Sequence, residues 1–331
     1  VCAEGGLWPH SVRSFMGQGE PLYNYRAVSR AIAVLTEGSG LAFSRRKIIV
    51  STSGVVPNIA KLGQDWKGIG LAISLHAVTD VDGVLVEVSQ TYHRALAETV
   101  DKFLDQSVSQ KEILNLKAAL KLNNDWDATV ASLAYYQSRL ALDEFLELAL
   151  PGPPDYRKFY HLARQLEIKL PEYQEVKAVF ENIYHRYQTQ EELRVGHQIL
   201  AEIRKMAGIM AVITGRTRED LDLTFERHKL HRYFDYFITE DDLPAVDARK
   251  PAPYPLRYLL AQTGFQSPVC HIGDTEADRS MVENFEKEEN KKVVFILFEH
   301  QFNQQVLADF RVSQAEELLT VLGKIVQEAQ G

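Results

Sequence analysis

The chain has 331 residues, of which 45% are hydrophobic and 25% are charged, so its length suggests two or three compact units. Its net charge of −8 argues against a general nucleic-acid binder, because such proteins hold phosphates with clustered lysine and arginine. No apolar run is long enough to predict a membrane-spanning helix, so we expect neither nucleic acid nor membrane as a partner. With only Cys2 and Cys270, a disulfide scaffold is excluded and a reducing, cytoplasmic setting is expected.

The first part of the chain predicts alternating helices and strands. Residues 24–37 carry apolar side chains at helical spacing, whereas residues 48–50 and 71–75 are apolar runs typical of buried strands. Helices between strands in this order indicate parallel β/α units.

The middle of the chain changes in character. From residue 89 to about residue 203 the pattern predicts helices with almost no strand signal. Strand-like runs then resume at residues 209–213, 269–272 and 293–298, with amphipathic helices between them. The simplest interpretation is an α/β core that a helical insert interrupts after its first strand.

Four polar motifs each follow a predicted strand, which is where open parallel sheets gather their sites. Two carboxylates at i and i+2 fit phosphate transfer, since one can attack phosphorus while the other handles the proton. A threonine with nearby backbone N–H groups can hold phosphate oxygens, a lysine offers a cation, and an acidic turn can hold a hard divalent metal. The motifs are Asp80-Val81-Asp82-Gly83, Thr214-Gly215-Arg216, Lys250-Pro251-Ala252-Pro253 and Gly273-Asp274-Thr275-Glu276-Ala277-Asp278.

In this order, the four motifs resemble those of the haloacid dehalogenase superfamily of phosphatases and phosphotransferases, over residues 75–331. The insert resembles the helical cap of its subfamily IA. The resemblance implies an α/β fold, with a Rossmann-like parallel sheet as core and an inserted α-helical cap, preceded here by a partial β/α segment. We expect the N-terminal segment at 1–74, the core at 75–88 and 204–331, and the cap at 89–203.

The same resemblance implies a hydrolase that acts on a small phosphorylated substrate. Asp80 would attack phosphorus and form an aspartyl-phosphate, and Asp82 would protonate the leaving group and later take a proton from water. Thr214 and Lys250 would stabilise charge on the phosphate oxygens, with Arg249 as an alternative to Lys250.

The resemblance also implies Mg²⁺ as the cofactor. Asp80, the main-chain carbonyl of Asp82 and Asp274 would hold the ion, while Asp278 would either coordinate it directly or orient the site. Substrate choice would depend on the cap. There, one group of polar residues either lines a pocket or serves for helix capping and packing: Asn123, Asn124 and Trp126.

The N-terminal segment closely resembles a different family, over residues 14–79. Residues 15–25, 45–54 and 71–77 carry, in order, three motifs of the radical S-adenosylmethionine methyltransferases that modify an adenine of large-subunit ribosomal RNA. The resemblance implies that several residues face that cofactor: Gly19, Glu20, Pro21, Ser51, Ser53 and Ser74.

The chemistry of that second family needs a [4Fe–4S] cluster on a loop with three cysteines, and neither Cys2 nor Cys270 belongs to such a loop. We therefore predict that the phosphatase part is the active one. A fragment of an rRNA methyltransferase and a catalytically impaired binding protein remain alternatives.

The two resemblances meet in one strand. Residues 75–79 must serve as the first strand of the core, although most of them belong to the part that resembles the methyltransferases. His76 is the residue whose fit to a buried apolar strand is in doubt. We expect the segment before this strand to pack loosely or to be partly disordered, with exposed apolar surface.

Overall fold

The computed structural model describes residues 13–15, 21–39, 41–52, 56–73, 75–151, 155–263 and 268–328. The strands are β1 (Arg13–Phe15), β2 (Ile48–Thr52), β3 (Gly70–Ile73), β4 (Leu75–Thr79), β5 (Val86–Glu87), β6 (Glu192–Leu193), β7 (Ala207–Ile213), β8 (Tyr236–Ile238), β9 (Val269–Gly273), β10 (Val294–Phe298) and β11 (Phe310–Val312). The helices are α1 (Tyr25–Thr36), α2 (Val56–Asp65), α3 (Tyr92–Leu104), α4 (Gln110–Ala119), α5 (Asp125–Ser138), α6 (Leu142–Ala149), α7 (Tyr156–Gln165), α8 (Tyr173–Tyr187), α9 (His197–Met206), α10 (Arg218–Arg227), α11 (Tyr254–Thr263), α12 (Glu276–Glu289) and α13 (Ala315–Glu328).

The core is a six-stranded parallel sheet with the order β11-β10-β9-β4-β7-β8. β4 lies at its centre, where Ala77 is paired with Met210 of β7 on one side and with Cys270 of β9 on the other. Because all the strands are parallel, their carboxyl ends meet at one edge. The motif that follows β4 therefore lies beside those that follow β7 and β9.

Both faces of this sheet are buried, which explains why its strands are continuous apolar runs. In β10, Ile296 and Phe298 join the larger hydrophobic cluster, whereas Phe295 and Leu297 join the cluster on the opposite face. The alternation of side chains along a strand thus supplies both layers of the core. The predicted α/β fold with a Rossmann-like parallel sheet is confirmed.

Six helices of the described chain, α3 to α8, lie between β5 and β6 and form the helical insert, called the cap below. β5 and β6 pair with each other in antiparallel fashion, with Val86 opposite Leu193 and Glu87 opposite Glu192. The two connections between core and cap are therefore a single two-stranded ribbon. Apolar side chains of the cap helices belong to the same buried cluster as one face of the sheet.

The N-terminal segment forms a sheet of its own, with the parallel order β1-β2-β3. A separate buried cluster supports it, formed by Leu22, Tyr25, Val28, Ile32, Ile48, Val50 and Leu62. In its described residues, the helices of the segment therefore cover apolar strand residues such as Ile48 and Val50. Some apolar surface is nevertheless exposed, at Tyr23, Val34 and Leu41.

The predicted strand at residues 71–75 belongs to two elements. β3 ends at Ile73 in the small sheet, and β4 begins at Leu75 in the core sheet. His76, the doubtful position, is buried in β4, and its Nδ1 has no hydrogen-bond partner. Burial lowers the pKa of His76 to about 4, so this side chain is neutral in the fold.

The resemblance to the methyltransferases implies that certain residues face their cofactor. One of these residues, Ser51, is buried near the carboxyl end of β2. Gly19, Glu20, Ser53 and Ser74 lie outside the described residues. Where the structure describes the chain, no helix has both the length and the apolar character needed to cross a membrane.

Candidate active site

Asp80 is the first residue after β4 and is almost completely buried. Its Oδ1 accepts a hydrogen bond from the backbone N–H of Val81 at 2.7 Å, and its Oδ2 accepts one from Nζ of Lys250 at 2.7 Å. Burial acts to raise the pKa of Asp80, while the positive charge of Lys250 acts in the opposite direction. The carboxylate is thus held in one orientation at the sheet edge.

Lys250 lies between two carboxylates, because its Nζ also donates to Oδ1 of Asp278 at 2.7 Å. Burial alone would lower the pKa of Lys250, but the charges of Asp278 and Asp80 outweigh it and the pKa is raised. The neighbouring Arg249 points elsewhere and pairs with Glu240. Of the two cations that the sequence offered, Lys250 is the one in contact with Asp80.

Asp278 receives more hydrogen bonds than any other group described in this site. Besides Lys250, it accepts from Nε2 of His271 at 2.9 Å and from the hydroxyl and backbone N–H of Thr275 at 2.6 and 3.2 Å. Thr275 and Asp278 form the capping box at the start of α12. Burial works to raise the pKa of Asp278, but Lys250 and His271 prevail and hold that pKa below its usual range.

A glycine brings a third acid close to this pair. Gly83 has φ of 71°, and a Cβ at this position would lie 1.9 Å from Oδ2 of Asp274. The absence of a side chain therefore lets Asp274 approach the turn that carries Asp80. Carboxylate oxygens of Asp80, Asp274 and Asp278 all lie within 4.8 Å of one another.

Thr214 follows β7 directly, next to the turn after β4. Its backbone N–H donates to the carbonyl of Ile238 at 3.0 Å, which extends the pairing of β7 with β8. Its hydroxyl oxygen accepts the backbone N–H of Arg216 at 3.2 Å, which fixes the side chain at the sheet edge.

Asp82 is more exposed than Asp80 and pairs with Arg216. Its Oδ1 accepts hydrogen bonds from Nε of Arg216 at 3.0 Å and from Nη2 at 2.6 Å. The two carboxylates of the first motif therefore differ in environment: Asp80 lies against a lysine in the core, and Asp82 lies against an arginine below the cap.

Two cavities adjoin these groups. One, of about 300 Å³, borders Thr214 and Lys250, and the other, of about 80 Å³, borders Asp80 and Asp82. For some of the residues that line them, the sequence left open two roles, which are lining a pocket and helix capping or packing. The structure shows cavity lining together with capping or a hydrogen bond within the cap. Asn124 lines both cavities and also caps α5, while Trp126 lines the smaller one and donates to Glu181 at 2.7 Å.

The structure brings together all the predicted site residues, namely Asp80, Asp82, Thr214, Lys250, Asp274 and Asp278. Sequence reasoning assigned no role to His271, because a histidine within an apolar strand has the pattern of a core residue. It quoted Arg216 without giving it a role, and it missed Glu191, a buried partner of Arg216.

Comparisons with known proteins agree with both resemblances. A model of the haloacid dehalogenase-like hydrolase family matches residues 76–285. The structure is similar to phosphatase Tt82 from Thermococcus thioreducens, with a TM-score of 0.53 and 20% identity over 74% of this chain and 99% of that chain. It is also similar to a predicted phosphoglycolate phosphatase from Haemophilus somnus, with a TM-score of 0.51 and 17% identity over 74% and 96% of the two chains.

The N-terminal part matches other proteins. It is 53% identical over 78 residues to the dual-specificity RNA methyltransferase RlmN of Bartonella tribocorum, which is 23% of this chain and 19% of that protein. The chain thus spans about a fifth of the length of this curated relative. The resemblance of the N-terminal part is confirmed for a fragment.

Proposed function

The chain belongs to the haloacid dehalogenase-like hydrolase family, and on that premise we propose that it is a Mg²⁺-dependent phosphatase that hydrolyses a small phosphorylated metabolite through an aspartyl-phosphate. The observation that carries the proposal is the contact of Lys250 with Asp80 beside Asp82 and Thr214. These are a nucleophile, a cation, a second acid and a hydroxyl donor at one edge of a parallel sheet.

The residues present fit a magnesium ion. Asp80 and Asp274 offer hard oxygen donors, and Gly83 leaves room for their approach. Burial raises the pKa of Asp274, and the negative charge of Asp278 acts in the same direction. When bound, Mg²⁺ would neutralise negative charge on the nucleophile and the phosphate.

We propose that Asp80, Asp274 and the main-chain carbonyl of Asp82 hold the ion. For Asp278, the sequence left open direct coordination or orientation of the site. Asp278 accepts four hydrogen bonds, from Lys250, His271 and Thr275, whereas Asp80 accepts two, and this difference favours orientation as the role of Asp278.

In the first half of the reaction, a carboxylate oxygen of Asp80 forms a bond to phosphorus as the bond to the leaving oxygen breaks. Asp82 gives its proton to that leaving oxygen. Lys250 and the hydroxyl of Thr214 stabilise the equatorial oxygens, where the charge of the transition state is spread.

In the second half, Asp82 takes a proton from a water molecule, and the water oxygen attacks phosphorus. Inorganic phosphate leaves and the carboxylate of Asp80 is restored. The cavity of about 300 Å³ beside Lys250 supports a small substrate, since it is at the lower end of the range for ligand sites.

The test is phosphate release from p-nitrophenyl phosphate and from a panel of phosphate esters, with Mg²⁺ and with EDTA. We expect Mg²⁺-dependent turnover that Asp80→Asn lowers by about 10³-fold or more, because an amide cannot form the acyl phosphate. Tyr25→Phe in the N-terminal sheet serves as the control and leaves turnover unchanged.

Two results would contradict the proposal. A folded protein that releases no phosphate from any ester would favour the alternative of a binding protein that has lost turnover. Iron and acid-labile sulfide bound in stoichiometric amount would favour the methyltransferase alternative, although the sequence holds two cysteines and that cluster needs three.

A further inference from the structure

Arg216 is a nearly buried arginine whose three guanidinium nitrogens are all used by protein partners. Nε and Nη2 donate to Asp82, Nη2 also donates to Oε1 of Glu191 at 2.8 Å, and Nη1 donates to the hydroxyl of Thr224 at 2.5 Å. An arginine that binds phosphate would need free N–H groups facing the substrate. Arg216 therefore acts through its protein partners.

Glu191 anchors this arginine from the connection between cap and core. It lies just before β6, and its side chain is completely buried. It also accepts hydrogen bonds from the hydroxyls of Tyr184 in α8, at 2.9 Å, and Thr224 in α10, at 2.6 Å. The carboxylate of Glu191 thus joins a cap helix, a core helix and Arg216.

An aromatic ring of the cap also packs on the guanidinium of Arg216. The ring of Tyr92, at the start of α3, lies 4.9 Å from the guanidinium carbon of Arg216, and it stacks on the ring of Tyr184. Asp82, at the open end of the network, is about one third exposed and borders the smaller cavity. Among the described residues, Arg216 is the side chain that donates hydrogen bonds to the carboxylate of Asp82.

We infer that Arg216 is a positioning residue that orients the carboxylate of Asp82 toward the leaving oxygen, and that Glu191 holds Arg216 in this position. The inference rests on the proposed function, in which Asp82 is the acid and base. A partly exposed carboxylate on a turn can rotate, whereas proton transfer requires hydrogen-bond distance to one oxygen. The arginine fork removes this freedom because it fixes the plane of the carboxylate.

Two substrates with different leaving groups distinguish a role of Arg216 in positioning Asp82 from a general role in stabilising the fold. An alkoxide needs a proton as the bond to phosphorus breaks, whereas p-nitrophenolate is a weak base and leaves without one. The value of kcat/KM reports the steps up to departure of the leaving group, so later hydrolysis of the aspartyl-phosphate does not obscure the difference.

The experiment compares ethyl phosphate with p-nitrophenyl phosphate in Arg216→Lys. Lysine keeps the charge but cannot reproduce the fork, so we expect kcat/KM for ethyl phosphate to fall by about 10- to 100-fold and that for p-nitrophenyl phosphate by about threefold or less. Glu191→Gln keeps the shape of the side chain that holds Arg216. In this variant kcat/KM for ethyl phosphate should again fall more than that for p-nitrophenyl phosphate, but by a smaller factor.

The matched control is Arg218→Lys, two residues further along the chain. Arg218 is more exposed, and its side chain pairs with Asp242 at 3.2 Å and not with Asp82. This variant should change kcat/KM for the two esters equally. Equal losses in Arg216→Lys would overturn the inference, because a merely structural role affects both substrates alike.

A crystal structure of Arg216→Lys gives a readout that does not require turnover. We expect the carboxylate of Asp82 to leave its present orientation, and an unchanged carboxylate would overturn the inference. If the wild-type protein hydrolyses no ester, the proposed function fails, whereas the orientation of Asp82 in the variant still decides whether Arg216 positions it.

Discussion

The N-terminal sheet and the six-stranded core are both parallel β/α assemblies, yet they differ in what their strand ends carry. In the core, four motifs meet at one edge, and Asp80, Lys250 and Asp278 form a continuous chain of contacts. The N-terminal part is 53% identical over 78 residues to a known methyltransferase, but this sequence lacks the three-cysteine loop on which that chemistry depends. Sequence identity thus reports the origin of a segment, whereas activity requires the complete set of groups.

The largest expected difference in turnover between the two regions follows when one lysine in each is replaced by methionine. Lys250→Met removes the cation between two buried carboxylates, so we expect a loss of about 10³-fold in kcat/KM and of about 3–5 kcal/mol in the free energy of unfolding. Lys61→Met removes an exposed lysine that lies 4.8 Å from the ring of Tyr25, and turnover should not change. Steady-state kinetics and urea unfolding measure both effects, and similar losses of turnover would contradict the comparison.

A pair of buried isoleucines tests whether the two regions are independent. Ile32→Ala and Ile296→Ala each remove a fully buried side chain, and each should cost about 2–5 kcal/mol in the region that contains it. Because Ile32 belongs to a separate cluster, we expect faster hydrogen exchange in α1 and β2 only, with turnover preserved.

Ile296→Ala should instead speed exchange in β9 and β10 and lower turnover, since it loosens the sheet that carries the site. Hydrogen exchange followed by mass spectrometry resolves the segments. If Ile32→Ala also loosened the core strands, the two regions would form one cooperative unit and the comparison would fail.

The smallest effect concerns the strand where the regions meet. His76 has a pKa of about 4 in the fold and an ordinary value of 6.5 when unfolded, so acid favours the unfolded chain. Its contribution to stability is present above pH 6.5, falls as the pH drops toward 4, and is constant below. Relative to wild type, His76→Leu should gain up to about 3 kcal/mol over this range, measured by urea unfolding at several pH values. A difference that does not vary with pH would show that His76 is solvated.

The sequence predicted the parallel sheet and candidate site residues at its strand ends because strand ends and polar motifs are local patterns. Lys250 differs, since it follows the short 3-10 helix Val246–Ala248 and not a strand. Asp80 follows an apolar run, and parallel strands bring such ends together without further information. The contact between Glu191 and Arg216 joins residues 25 positions apart on opposite sides of a cap connection, and no local pattern encodes it. The first core strand was predicted at residues 75–79, which is the range of β4, whereas the other predicted strand, at residues 71–75, overlaps both β3 and β4 because apolar alternation does not reveal which sheet a strand joins.

The ribbon of β5 and β6 determines how the cap can move. If the two connections were separate, each could bend independently of the other. Here the two strands are hydrogen-bonded to each other, so we expect them to bend together. We therefore expect opening of the cap to bend the ribbon as one piece. Glu191 directly precedes β6 in this ribbon, where we expect a motion of the outer helices to produce only a small shift. We therefore expect Asp82, the proposed acid, to keep its contact with Arg216 when the cap admits a substrate.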